Sequence, residues 1–128
     1  KYLPEGFELY LDGGHNPQGG QMLANWAASH SGKDVYLVCG MLKNKDAKAF
    51  LAPISPHVKA LYAVEIEGES MSRTSSDVKS VAESLHIPSQ TAVSVEIALQ
   101  TIAQHAKTPS IICICGSLYL AGKVLAAA

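Results

Sequence analysis

Asp12-Gly13-Gly14-His15-Asn16-Pro17-Gln18-Gly19-Gly20 is the stretch from which the fold can be read. The apolar run before it, Phe7-Glu8-Leu9-Tyr10-Leu11, reads as a short buried strand. After it, Met22, Trp26 and Ala27 fall on one face of a helical wheel, which predicts a helix reaching about residue 30. Asp12 then ends a strand, Gly13 and Gly14 make the turn, and Asn16-Pro17 opens a helix. Asn is a good N-cap because its side-chain oxygen accepts from an orphan backbone N–H. Pro at the first helical position loses nothing, since its missing N–H would have had no partner. Such a turn aims free N–H groups and the positive end of a helix dipole at whatever lies above it. Asp12 and His15 add an acceptor and a titratable nitrogen to the same rim. The same residues also suit purely local roles, because Asp and Asn bond nearby amides in turns.

Outward from this stretch, strands and helices alternate. Val35-Tyr36-Leu37-Val38-Cys39 is a wholly apolar strand, as expected for a sheet covered on both faces. Gly32 is the expected C-cap of the helix before it. Residues 40–45 form the next turn, and Asp46 caps a short helix over 47–52 that Pro53 helps to end. Residues 59–64 are a third strand, followed by a polar loop over 65–76. Thr74 and Asp77 form a capping pair for a helix whose stripe is Val78, Val81, Ala82 and Leu85. Residues 86–93 are ambiguous, with Thr91-Ala92-Val93 as a candidate strand. Ser94 caps a helix bearing Val95, Leu99, Ile102 and Ala106, and Thr108-Pro109 ends it. Residues 110–115 form the last strand, and Ser117 is placed to cap a final helix from Leu118 to about Ala127. The pattern predicts an α/β, Rossmann-like, doubly wound and mostly parallel sheet of five to six strands with helices on both faces. In such sheets the functional rim lies at the carboxyl ends of the strands. Residues 12–15, 40–45, 65–76 and 116–117 all fall there.

The 128 residues are 48% hydrophobic and 16% charged, which fits one folded domain. A net charge of −1 with scattered Lys and Arg gives no electrostatic case for nucleic acid. No apolar run reaches membrane-spanning length, and no signal peptide is visible. Cys39, Cys113 and Cys115 form no disulfide framework and point to a reducing compartment. Cys113 and Cys115 share one strand face and are expected to be core residues, and no spacing suits zinc. The chain opens Lys1-Tyr2 without a Met and is expected to be a piece of something longer.

Several chemistries are argued against. Gly14 and Gly19 have P-loop spacing, but Gly20-Gln21 stands where Lys-Ser/Thr is required. The dinucleotide fingerprint is missing at the first turn. Asp12 lacks the acidic neighbour expected of a phosphoacceptor domain. Lys43 and Lys45 either meet phosphate as point charges or are simply solvated. His30, His57, His86 and His105 have no spaced partners and are expected at the surface, whereas Trp26 is expected in the core.

Leu-Asp-Gly-Gly-His-Asn-Pro resembles the Asp-Gly-Ala-His-Asn-Pro signature of the C-terminal domain of folylpolyglutamate and dihydrofolate synthases, with Gly14 in place of Ala. These enzymes belong to the Mur ligase family of ATP-dependent amide ligases. Gly40-Met41-Leu42-Lys43-Asn44-Lys45-Asp46 and Gly116-Ser117-Leu118-Tyr119-Leu120-Ala121-Gly122 also look like the family, in the right order. The resemblance implies that residues 1–128 form the domain that closes over ATP and helps to hold L-glutamate. The P-loop, magnesium ligands and most of the folate or pteroate pocket would lie on a covalently linked N-terminal ATPase domain. It implies ATP contact for Asp12, through a ribose hydroxyl, and for His15, near phosphate or the incoming glutamate. Ser117 matches the serine of the third motif, a glutamate contact; Lys43 and Asn16 are further candidates for glutamate or phosphate contact. No residue here would be catalytic or bind metal, and the fragment alone would be inactive. The family uses an arginine upstream of the signature, and none precedes Asp12 here. A monomeric, cytoplasmic parent enzyme is implied. The alternatives are the same domain of a peptidoglycan Mur ligase, and a non-catalytic anion-binding or scaffold module.

Overall fold

The computed structural model describes residues 6–12, 16–29, 32–117 and 120. The elements run β1 (Glu8–Leu11), α1 (Pro17–Ala28), β2 (Val35–Cys39), α2 (Ala47–Leu51), a 3₁₀ turn (Ser55–His57), β3 (Ala60–Ala63), α3 (Ser75–Ser84), β4 (Ser89–Thr91), α4 (Val95–His105) and β5 (Ile111–Cys115). The five strands form one sheet in the order β1-β5-β2-β3-β4, with every pairing parallel. This is the doubly wound α/β architecture expected from the alternation of elements.

The apolar strands are central because both of their faces are covered. All residues of β2 and β5 are buried. On one face Leu37, Cys39, Leu61, Ile111 and Cys113 pack with Leu23, Ala24 and Ala27 of α1, Phe50 and Leu51 of α2, and Val78 and Ala82 of α3. On the other, Tyr36, Val38, Tyr62, Ile112 and Ile114 pack with Ala98, Leu99 and Ile102 of α4 and with Leu120. The cysteines are free and buried, as expected. Cys115 is held well above the usual thiol range by hydrogen bonding with Cys113 and Cys39 and by burial. It is therefore a neutral core group and no nucleophile.

The caps foreseen in the sequence form. Asn16 Oδ1 accepts from Gly19 N–H at 2.8 Å, Asp46 Oδ1 from Ala49 at 3.0 Å, Thr74 Oγ1 from Asp77 at 3.1 Å and Ser94 Oγ from Ile97 at 3.1 Å. Each satisfies an orphan donor of a first helical turn.

Several expectations are corrected. The buried stripe of α1 is Gly20, Leu23, Ala24 and Ala27, and Met22 is 72% exposed. The reason is Gly20: a Cβ there would lie 2.0 Å from the Phe50 carbonyl oxygen, so its bare backbone is what lets α1 seat on α2. Trp26 is half-buried, stacked edge-on against Tyr10 with ring centroids 4.9 Å apart. Helix α1 ends at Ala28 with Ser29 as C-cap, so Gly32 does not cap it. Strand β1 is an edge strand, with Leu9 and Leu11 more than a third exposed, because only β5 flanks it. His30 and residues 121–128, including most of the expected last helix, lie outside the described residues.

Strand β4 forms at Ser89–Thr91, two residues before the expected position. The shift follows from how α3 stops. His86 takes φ 64°, its N–H bonds Glu83 O at 3.0 Å, and Ile87 N–H bonds Ala82 O at 3.1 Å. This is a Schellman ending with histidine where glycine is usual. Replacing His86 by Gly relieves a left-handed side chain, against the larger chain entropy of Gly. The expected net gain is about 0.5–1 kcal/mol, read as a higher urea midpoint at unchanged slope.

Candidate functional site

The chain leaving β1 and β2 passes to the face of α1–α3, whereas the chain leaving β5 puts Leu120 on the face of α4. Neighbouring strands with opposite exits leave a crevice at their carboxyl ends. The register fixes what lines it: Leu11 pairs with Ile114, and Cys39 pairs with Cys115. One residue further on, Asp12 N–H donates to Ile114 O at 2.9 Å and Gly40 N–H to Cys115 O at 3.3 Å. Asp12, Gly40 and Gly116 thus stand side by side on adjacent strands. The three family-like stretches, distant in sequence, begin at one place.

Asp12 is half-buried and borders an open hollow of about 380 Å³ that Tyr10, Gly19, Met22 and Trp26 also line. His15 lies outside the described residues. The Asn16 oxygen serves the α1 cap on the exposed surface. Ser117 is buried, and its Oγ accepts from Leu120 N–H at 3.4 Å, the cap geometry expected for a following helix. Lys43 is exposed, with its backbone N–H bonded to Met71 O at 2.7 Å. So the structure gathers Asp12 and Ser117 at the crevice and sets Lys43 on the adjoining loop. Among the described residues, no group of three or more His, Cys, Asp or Glu could hold a metal ion. No described helix is long and apolar enough to cross a membrane.

Gly116 is the tightest point of the rim. It adopts φ +102°, and a Cβ there would lie 2.5 Å from Gly40 O, 2.9 Å from Met41 Cγ and 3.0 Å from Cys39 Sγ. The motif therefore needs glycine both for its turn and for the closeness of the two loops.

One structurally important rim residue was not singled out from sequence. Arg73, in the loop after β3, reaches the Lys45 carbonyl with Nη2 at 2.6 Å and the Asp77 carboxylate with Nη1 at 2.7 Å. The available signal was its singularity, for it is the only arginine in the chain, four residues before an acid that opens a helix.

Comparison with known proteins gives a consistent result. The family model described as "Mur ligase, glutamate ligase domain" matches residues 2–118. A ligand-free bifunctional folylpolyglutamate synthase/dihydrofolate synthase from Yersinia pestis superposes with a TM-score of 0.79 at 30% identity, over 93% of this chain and 28% of that one. A structure of such a bifunctional synthase with Mn, AMPPNP and L-glutamate bound gives 0.81 at 28% identity, over 99% and 30%. E. coli FolC in complex with DHPP and ADP gives 0.83 at 23% identity, over 99% and 30%, a likeness of fold. No curated protein gives a significant match. The chain spans under a third of the length of the solved structures it resembles. With the family model covering nearly all of it, the chain belongs to the Mur ligase family, in its glutamate ligase domain.

Proposed function

We propose that this domain works within a longer ATP-dependent ligase that adds L-glutamate to dihydropteroate or to a folylpolyglutamate. The observation that carries the reading is the meeting of Asp12, residues 40–45 and Gly116-Ser117 at one switch-point crevice. The resemblance of the two bifunctional synthases, at 28–30% identity over nearly the whole chain, supports this substrate class over that of a peptidoglycan ligase.

In this reading the parent's other domain carries the P-loop and the magnesium ligands. A substrate carboxylate takes the γ-phosphoryl group as an acyl phosphate, and the glutamate amine displaces phosphate. The chemistry demands that anions and a nucleophile be held together while charge grows. The residues at the rim fit a nucleotide. Asp12, half-buried beside an open hollow, is an acceptor suited to a ribose hydroxyl and unsuited to phosphate. The exposed Lys43 ammonium supplies a point charge for phosphate. His15 and Ser117 are assigned contacts with phosphate or the incoming glutamate by their match to the family motifs, and the Ser117 Oγ also holds Leu120 N–H. Asn16, committed to its cap, acts by fixing the α1 terminus. The parent acts as a monomer in the cytoplasm, and the isolated domain turns nothing over.

The test is ADP release by the full-length parent given ATP, magnesium, L-glutamate and either dihydropteroate or a reduced folate. Release is expected to require both glutamate and the pterin substrate. Asp12→Ala and His15→Ala are each expected to lower kcat/KM by about 10- to 100-fold, as for loss of one charged hydrogen bond. Release with a different acid acceptor would move the assignment to a peptidoglycan Mur ligase. Variants that turn over at the parent rate would remove this rim from the site.

A further inference from the structure

Arg73 lies outside all three motif stretches, yet it joins two rim loops and the start of α3. Its backbone N–H donates to Met41 O at 2.7 Å. Its guanidinium bridges the Lys45 carbonyl and the Asp77 carboxylate. Beside it the loops pair like short strands. Leu42 and Ser72 form an antiparallel bridge, and Lys43 N–H donates to Met71 O at 2.7 Å. Ser72 in turn is anchored, its Oγ accepting from Ile66 N–H at 2.9 Å and donating to Arg73 O at 2.9 Å. Within residues 40–45 the turn is closed by Lys45 N–H to Leu42 O, at 3.2 Å. Both flanks of Lys43 are therefore set from outside, by the loop after β3.

The Arg73–Asp77 ion pair does not account for this arrangement. The Asp77 side chain is 46% exposed, and such pairs contribute little. The arginine side chain is only 20% exposed, and its Nε is buried without a partner among the described residues, which is unfavourable. What the site uses is the planar fork, which can hold a carbonyl on one side and a carboxylate on the other. A lysine offers its donors from a single rotatable ammonium, without the rigid plane that fixes the carbonyl and the carboxylate relative to each other.

We propose that Arg73 is a positioning residue that sets the 40–45 loop and acts on the ligase reaction through Lys43, without touching substrate. The inference rests on the reading of Lys43 as a phosphate contact. It is tested in the full-length parent by steady-state ADP release from Arg73→Lys, Arg73→Met, Lys43→Ala and the double variant Arg73→Lys/Lys43→Ala. Arg73→Lys keeps the charge and loses the fork. It is expected to lower kcat/KM for ATP about tenfold with Tm close to that of the parent, and Lys43→Ala to do the same. The double variant is expected to fall no more than about twofold below the worse single, because residues acting through one contact are not additive. If Arg73→Met does not fold, Arg73→Lys carries the comparison. Losses that multiply in the double variant overturn the inference. An impaired Lys43→Ala beside a fully active Arg73→Lys overturns it alone. A fully active Lys43→Ala overturns the phosphate reading and this inference together.

Discussion

Gly116→Ala is expected to remove about 2–6 kcal/mol of stability, the sum of about 1–3 for a side chain in a sparsely populated backbone region and about 1–3 for crowding. The two terms do not relieve each other. Turning the backbone out of φ +102° would carry Ser117 away from Leu120 N–H. Keeping it presses a methyl against Gly40 O at 2.5 Å. That oxygen has little room to yield, since Gly40 N–H is tied to Cys115 O and the neighbouring Cys39 O accepts from Val64 N–H at 3.0 Å. The check is chemical denaturation of the chain beside the glycine form, with the midpoint falling at constant slope. In the parent enzyme the same change is expected to reduce turnover even where the protein remains folded, because the displaced atoms begin the 40–45 loop. A variant as stable as the glycine form would show that the β2 and β5 turns are not held together as described.

Phe50→Ala is expected to cost about 3–5 kcal/mol, the range for deleting a buried aromatic ring with incomplete collapse of the cavity. Phe50 has no exposed surface and sits in the layer shared by α1, α2 and α3. Collapse is restricted on one side, because the Phe50 carbonyl already lies against the bare backbone of Gly20. A loss of that size approaches the whole stability of many domains, about 5–15 kcal/mol, so the variant should sit near its unfolding midpoint at modest urea. Equilibrium urea unfolding followed by circular dichroism reads it. A loss below about 1 kcal/mol would mean that the α1–α2 layer repacks freely, contrary to the close approach at Gly20.

What was legible in the sequence was the part governed by local chemistry. Asn16, Asp46, Thr74 and Ser94 all cap as read, because an N-cap needs only a side-chain oxygen and an N–H three residues on. Val35–Cys39 and Ile111–Cys115 announced central strands by being apolar on both faces. The rim was legible because the strand ends coincide with the motif stretches. What escaped depends on neighbours distant in sequence. The stripe of α1 was misread because its first buried position is Gly20, which no hydrophobicity pattern counts. Ser89–Thr91 carries no apolar signal, being a short edge strand. The stop before it is made by a histidine. Arg73 gained its importance only when two loops, one after β2 and one after β3, came together.

The order of strands also decides when the domain can exist. Ile111–Cys115 comes after the other four described strands in sequence, yet it fills the gap between the first two, with Glu8 opposite Ile111 and Val35 opposite the same residue. A ribosome delivering this chain releases β2, β3 and β4, which can pair in sequence, long before their missing neighbour. Until then β1 has no partner and the apolar sides of β2 lie half open. Closing a loop of that length is entropically slow, and parallel pairing offers no hairpin shortcut. The nascent domain therefore waits for Ile111–Cys115, and the crevice at its rim appears late, when β5 slides in and brings Gly116 against Gly40.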